Sequence, residues 1–138
     1  MPRAALADFL AAQDRVWPEV EAELADGAKT THWMWFVFPQ IAGLGRSPTA
    51  RFYELGSCAE ARAYLAHPTL GPRLRRAIAL MLPHRARGAE AVLGPVDALK
   101  FRSCLTLFAA AAPEEPLFAE ALAAFYDGPD PRTLALVP

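Results

Sequence analysis

Side chains able to do chemistry gather between residues 29 and 53, in the stretch KTTHWMWFVFPQIAGLGRSPTARFY. It supplies an imidazole (His32), an indole face (Trp35), a carboxamide (Gln40), two guanidinium groups (Arg46, Arg51) and a hydroxyl (Ser47). Arg46 directly follows Gly43-Leu44-Gly45, and Ser47 precedes Pro48 as an N-cap and first-turn pair that should open a helix. A helix start with unpaired N–H groups, a guanidinium beside it and a glycine pair that permits close approach together read as an anion site. His32 and Gln40 would orient the rest of the ligand. Lys100, far along the chain, is a further cation for the same pocket. Stacking surface, cations and an amide suit a nucleotide or another phosphorylated metabolite. Each residue also has a plainer reading. His32 would be a hydrogen-bonded boundary residue, the aromatics a core helix, and Arg46 a solvated side chain in a helix–loop–helix connection.

The familiar catalytic patterns are missing. GLGRSP lacks the P-loop spacing, and no dinucleotide fingerprint occurs. Histidines 32, 67 and 84, with Cys58 and Cys104 far apart, match no zinc spacing. There is no H-E-x-x-H, G-x-S-x-G or C-x-x-C. The nearest carboxylates, Glu54 and Glu60, read as helix-surface residues. The sequence therefore assigns no reaction, no catalytic residue, no cofactor and no metal.

The elements that must position these residues read as helices. Leu6, Phe9 and Leu10 give a one-sided helix over 4–13. Trp17-Pro18 opens a second, closed by Gly27. Trp33–Phe38 is six bulky apolar residues in a row, ahead of which Thr30 and Thr31 stand as N-caps and after which Pro39 stops the helix. Ser57-x-x-Glu60 is a capping box for a helix through Ala66, with His67 as a cation suited to its negative end. Leu74, Ile78 and Leu82 mark a helix from about Thr69–Pro72 to His84, with Arg73, Arg75 and Arg76 in a first turn where the dipole disfavours them. A short piece spans Ala89–Leu93. Asp97 leads the longest apolar stretch, Leu99 to Ala112, in which Leu99, Cys104, Leu105, Leu107 and Phe108 read as core. Leu117 to Tyr126 and Arg132–Val137 complete the set, the last capped by Asp130. With no strand-period pattern and 13 prolines mostly at boundaries, the expectation is an all-α, compact single domain over 1–138, built from about seven to nine short helices.

Composition narrows the function classes. Fourteen basic against fifteen acidic residues give a net charge of −1, which argues against a general nucleic-acid footprint. No apolar run approaches the ~20 residues of a membrane span, and no secretory leader pattern occurs. Two distant cysteines then read as reduced thiols in a cytoplasmic protein.

THWMWFVFPQ followed by GLGRSPTARFY resembles a family of small bacterial domains of unknown function, number 1810 among such families. The likeness extends from DFLAAQDRVW through EARAYLAHPTLGPRLR and LKFRSCLTLFAAAAP to FYDGPDPRTLALV, nearly the whole chain. It implies a mainly helical domain and no established activity. Some members carry the label calpastatin. That inhibitor is long, disordered and repetitive, whereas this chain is short, apolar and unrepeated.

Three readings follow. The first is a module or enzyme holding a small anionic ligand in a pocket built on residues 29–53, lined by His32, Trp35, Gln40, Arg46, Ser47 and Arg51 with Lys100. The second is a protein-interaction domain whose Arg73–Arg76 cluster meets an acidic partner. The third is a structural protein, such as a homodimer, without a ligand.

Overall fold

Residues 2–137 are described by the computed structural model. Its helices are α1 (Leu6–Asp14), α2 (Trp17–Asp26), α3 (Met34–Val37), α4 (Pro48–Phe52), α5 (Cys58–Ala66), α6 (Leu70–Met81), α7 (Ala89–Leu93), α8 (Pro95–Ala111), α9 (Pro116–Phe125) and α10 (Pro131–Leu136), with a 3-10 turn at Leu82–His84. Among the described residues 66% are helical, the 3-10 turn included; six of the ten α-helices have seven residues or more, and there is no strand. Proline occupies the first or second position of α2, α4, α8, α9 and α10, where its missing N–H has no helical partner to lose. Ser47, Ser57 and Asp130 cap α4, α5 and α10 by accepting from Ala50 N, Glu60 N and Thr133 N. The capping box at Ser57 is half made, because the Glu60 carboxylate reaches Arg3 at 3.6 Å instead of the cap.

The 17-residue α8 is the centre of the molecule, with α5, α7, α9 and α10 packed around it. Phe101, Cys104, Leu105, Leu107 and Phe108 on it are fully buried. Rings spread outward from this axis: Phe108 meets Tyr64 and Phe118 at 5.7 and 5.6 Å, Phe101 meets Phe38 at 4.7 Å, and Tyr64 meets Phe9 at 5.4 Å. These tilted and edge-on contacts suit the aromatic quadrupole. Leu99 departs from the expected core set. It is 66% exposed, as is Val96 at 65%, because the first two turns of α8 extend past the packed layer with one face uncovered.

The stretch before Pro39 is not the continuous helix that its composition predicts. Only Met34–Val37 is helical, and Trp33 precedes it at φ −141° without a side-chain cap. Trp33, Met34, Val37 and Phe38 are buried, whereas Trp35 and Phe36 are half-buried. Thr30 and Thr31 do not cap the helix. Their amides donate to Glu23 Oε1 at 2.7 and 3.0 Å, the Thr31 hydroxyl donates to Oε2 at 2.6 Å, and the Trp33 indole N–H donates to Oε1 at 3.1 Å. A nearly buried carboxylate on α2 thus pulls this segment out of helix by offering its N–H groups a stronger, charged acceptor. From the other side Gln13 of α1 donates to Phe36 O at 2.6 Å and to the Tyr64 hydroxyl at 2.8 Å.

Two further expectations give way to local partners. Arg73, Arg75 and Arg76 pair with Asp14, Glu115 and Glu21 at 2.8, 2.8 and 3.3 Å. They therefore tie α6 to its neighbours, each guanidinium already paired with one carboxylate. His67 serves the following helix instead of the end of α5: Thr69 N and Leu70 N both donate to its Nδ1 at 3.1 Å, at the start of α6.

Burial raises the pKa of the Glu23 carboxyl, but the hydrogen bonds from the Thr31 hydroxyl, the two threonine amides and the indole outweigh it and hold the group below its usual range. The clamp therefore contributes stability above the ordinary carboxylate value and loses it as pH falls through the lower folded one. Between about pH 5 and about pH 3 the wild type should lose more melting temperature than Glu23→Gln; parallel curves would show that this carboxyl is not the titrating contact. Trp33→Ala should cost about 3–5 kcal/mol by denaturant unfolding, the usual loss for a buried large aromatic, and a variant of unchanged midpoint would remove the indole from the core.

Candidate functional site

The loop after Pro39 is closed at its base. Ala42 N donates to Leu55 O at 2.8 Å and Leu55 N to Gln40 O at 2.9 Å, a single parallel bridge between Ile41 and Leu55. Gly43 adopts φ +108°, with the Leu136 side chain where a Cβ would need room. A Cβ on Gly45 would stand 2.9 Å from that of Ala50 and 3.1 Å from Glu54 Oε2. The glycines let the loop fold tightly over one carboxylate: Glu54, only 7% exposed, accepts from Gly43 N at 3.0 Å and Gly45 N at 2.9 Å through Oε2. This overturns one sequence reading: Glu54 is not a surface residue, and it occupies the amides of Gly43 and Gly45. Ser47 Oγ is likewise engaged as the cap of α4. The amides of Gly43, Gly45 and Ala50 are thus engaged within the chain.

Those side chains meet at a cavity of about 490 Å³ between the loop, the outer face of early α8 and the start of α10. Trp35, Gln40, Arg46, Ser47 and Lys100, five of the seven residues singled out from sequence, line it. The other two do not. His32 is exposed on an adjoining cavity of about 330 Å³, which shares Trp35, Val96 and Lys100 with the first. Arg51 lines a third, beside Pro2, Pro48 and Phe52, and its Nε donates to Gly45 O at 3.4 Å.

Sequence reasoning missed the wall across from the loop. Val96, Leu99, Arg102 and Ser103 come from α8, and Asp130 and Arg132 from the start of α10. The only signal was indirect: a valine and a leucine on the helix turn that also carries Asp97 and Lys100. Together the apolar floor is Trp35, Leu44, Val96 and Leu99, and four cationic side chains, Arg46, Lys100, Arg102 and Arg132, face one carboxylate, Asp130.

The cations differ in how far they are committed. Arg102 Nε donates to Gly128 O at 2.9 Å, and Nη2 to Pro129 O at 3.1 Å and Asp127 at 3.2 Å, which fixes the turn before α10. Lys100 Nζ lies 3.6 Å from Asp97 and 5.2 Å from the Trp35 ring centre. Asp97 is shared, since the buried Lys29 ammonium sits 2.8 Å from its other oxygen; one carboxylate thus serves two ammonium groups. Arg46 and Arg132 are exposed and form no ion pair among the described residues. An excess of positive charge against a partly apolar wall raises the local potential for anions.

Asp130 is held by donors. Oδ2 accepts from Thr133 N at 3.0 Å, Thr133 Oγ1 at 2.6 Å and Ser103 Oγ at 3.2 Å. Burial raises its pKa, but these hydrogen bonds and the Arg102 charge prevail and keep it below the ordinary carboxylate range. It is ionised at neutral pH.

Among the described residues no three His, Cys, Asp or Glu side chains group as a metal site, and no helix is long and apolar enough to cross a membrane. Cys58 and Cys104 are free, and burial pushes the Cys104 thiol well up.

No curated protein matches the chain. The chain is similar to the conserved hypothetical protein Rv1873 from Mycobacterium tuberculosis, known from a crystal structure. It is 47% identical to that protein over 96% of this chain and 95% of that one, with a TM-score of 0.93. A family model matches residues 3–137, and the chain belongs to that family, described as protein of unknown function (DUF1810).

Proposed function

We propose that this protein binds a small anionic ligand, nucleotide- or phosphate-like, in the cavity between the 39–48 loop, α8 and α10. The observation that carries this reading is the pair Arg46 and Arg132. Both line a cavity of about 490 Å³, and neither has a carboxylate partner among the described residues. That volume falls within the range of about 300–1,000 Å³ common for small-molecule sites. Trp35, Val96 and Leu99 supply apolar surface for a planar or hydrophobic part, and Lys100, beside Asp97, adds a third positive charge. The ligand is held by side chains, since the amides of the glycine loop already serve Glu54. No reaction is proposed. The protein-interaction alternative rested on Arg73–Arg76, and those arginines are paired within the chain.

The test is a calorimetric titration of nucleotides, sugar phosphates and pyrophosphate against wild type, Arg46→Ala and Arg132→Ala at fixed salt. Losing one charge-assisted contact should weaken binding about 10- to 100-fold. Thermal unfolding of both variants should stay within about 0.5 kcal/mol of wild type, as for exposed side chains without structural partners. Absence of binding by every compound, or equal affinity in the variants, would refute the anion site.

A further inference from the structure

A carboxylate is an odd component for a cavity whose only task is to attract negative charge. Asp130 lines the same cavity as Arg46, Lys100, Arg102 and Arg132, and its charge opposes part of their field. Its two oxygens are used unequally. All three of its side-chain hydrogen bonds, from Thr133 N, Thr133 Oγ1 and Ser103 Oγ, go to Oδ2. Oδ1 accepts nothing from the described residues. The nearby Arg102 donors are directed elsewhere, to Gly128 O, Pro129 O and Asp127. One ionised oxygen on a residue of the cavity wall is thus left with its acceptor capacity open, on a side chain locked in place by its other oxygen.

We propose that Asp130 Oδ1 accepts a hydroxyl of the ligand, so that the cavity selects a ribosyl phosphate or nucleotide over a bare polyanion. This rests on the anion-binding reading above. The two parts of such a ligand match the two kinds of group on the wall: phosphate for Arg46 and Arg132, sugar hydroxyls for Asp130. A carboxylate is the natural acceptor for a ribose hydroxyl, because its bond to an O–H is charge-assisted, as acidic side chains that hold the ribose 2′-hydroxyl in dinucleotide sites illustrate. It also discriminates. A polyanion without a donor would face Asp130 with repulsion and would leave its oxygen unpartnered.

The experiment compares AMP, GMP, CMP, UMP and ribose 5-phosphate with the 2′,3′-dideoxy nucleotides and with pyrophosphate. Each is titrated into wild type, Arg46→Ala and Asp130→Ser. Serine keeps an N-cap for α10, and thermal unfolding checks that the variant is folded; Asp130→Asn, which keeps the shape, replaces it if not. In wild type at least one ribosyl compound should bind about tenfold or more tightly than its dideoxy counterpart and than pyrophosphate, the usual weight of a charge-assisted hydrogen bond. In the Asp130 variant that preference should fall to about twofold or less, whereas Arg46→Ala should weaken both members of the pair and leave their ratio. Equal binding of ribosyl and dideoxy compounds by wild type, with affinity still dependent on Arg46, overturns the role of Asp130 and leaves the anion site standing. Pyrophosphate binding as tightly as any nucleotide does the same. If nothing binds, both readings fall. The wild-type comparison decides the matter even if neither Asp130 variant folds.

Discussion

The Glu23 carboxylate is the contact on which the arrangement of this molecule turns. It lies on α2 at 9% exposure and takes four donors from a segment only seven to ten residues further on: two threonine amides, a threonine hydroxyl and the Trp33 indole. A carboxylate so little exposed is tolerable only when its lone pairs are filled. Filling them forces residues 30–33 into an extended approach and delays the helix until Met34. That delay sets the rotation of α3, so that Trp33 points into the core while Trp35 emerges at the cavity. Had the helix begun at Thr31, the two indoles, two residues apart, would still diverge by about 200°, but each would point elsewhere.

Glu54 does for the following loop what Glu23 does for the preceding one. Both gather backbone N–H groups that would otherwise be orphaned, and both carry their negative charge inward. In the cavity beside the loop, Arg46 and Arg132 form no ion pair among the described residues, whereas Lys100 and Arg102 pair with Asp97 and Asp127. The cavity's positive character comes from where the carboxylates went, and not from any basic excess in a chain of net charge −1.

One helix serves both the core and the candidate site. From Ser103 to Phe108 every residue of α8 is buried, and its Ser103 and Thr106 have partners at the start of α10. Its first turns project beyond the layer and expose Val96 and Leu99 beside Lys100. The rigid part holds the open part in position, and Arg102 anchors the turn that delivers Asp130 and Arg132. A site so built has its walls on packed elements, with only the 39–48 loop as its third side.

Much of this was legible from the residues alone. The all-helical class, the boundaries marked by prolines and caps, and the central apolar helix all follow from local rules. A proline or a capping side chain acts within one turn of its own position, and helical apolar spacing acts within a few turns, so neighbours in sequence suffice to read them. The rest needed the tertiary structure. That Glu23 unwinds the start of α3, that Glu54 fills the glycine loop, that the Arg73–Arg76 cluster is neutralised by Asp14, Glu115 and Glu21, and that Leu99 is exposed are outcomes of contacts between distant segments. A carboxylate looks the same in sequence whether it faces water or a row of amides. A helix shows which of its residues are apolar, and not how far along its length a neighbour covers them. The cavity itself, with α8 and the start of α10 facing the loop, exists only because packing brings residues 35–50 against residues 96–103 and 130–132.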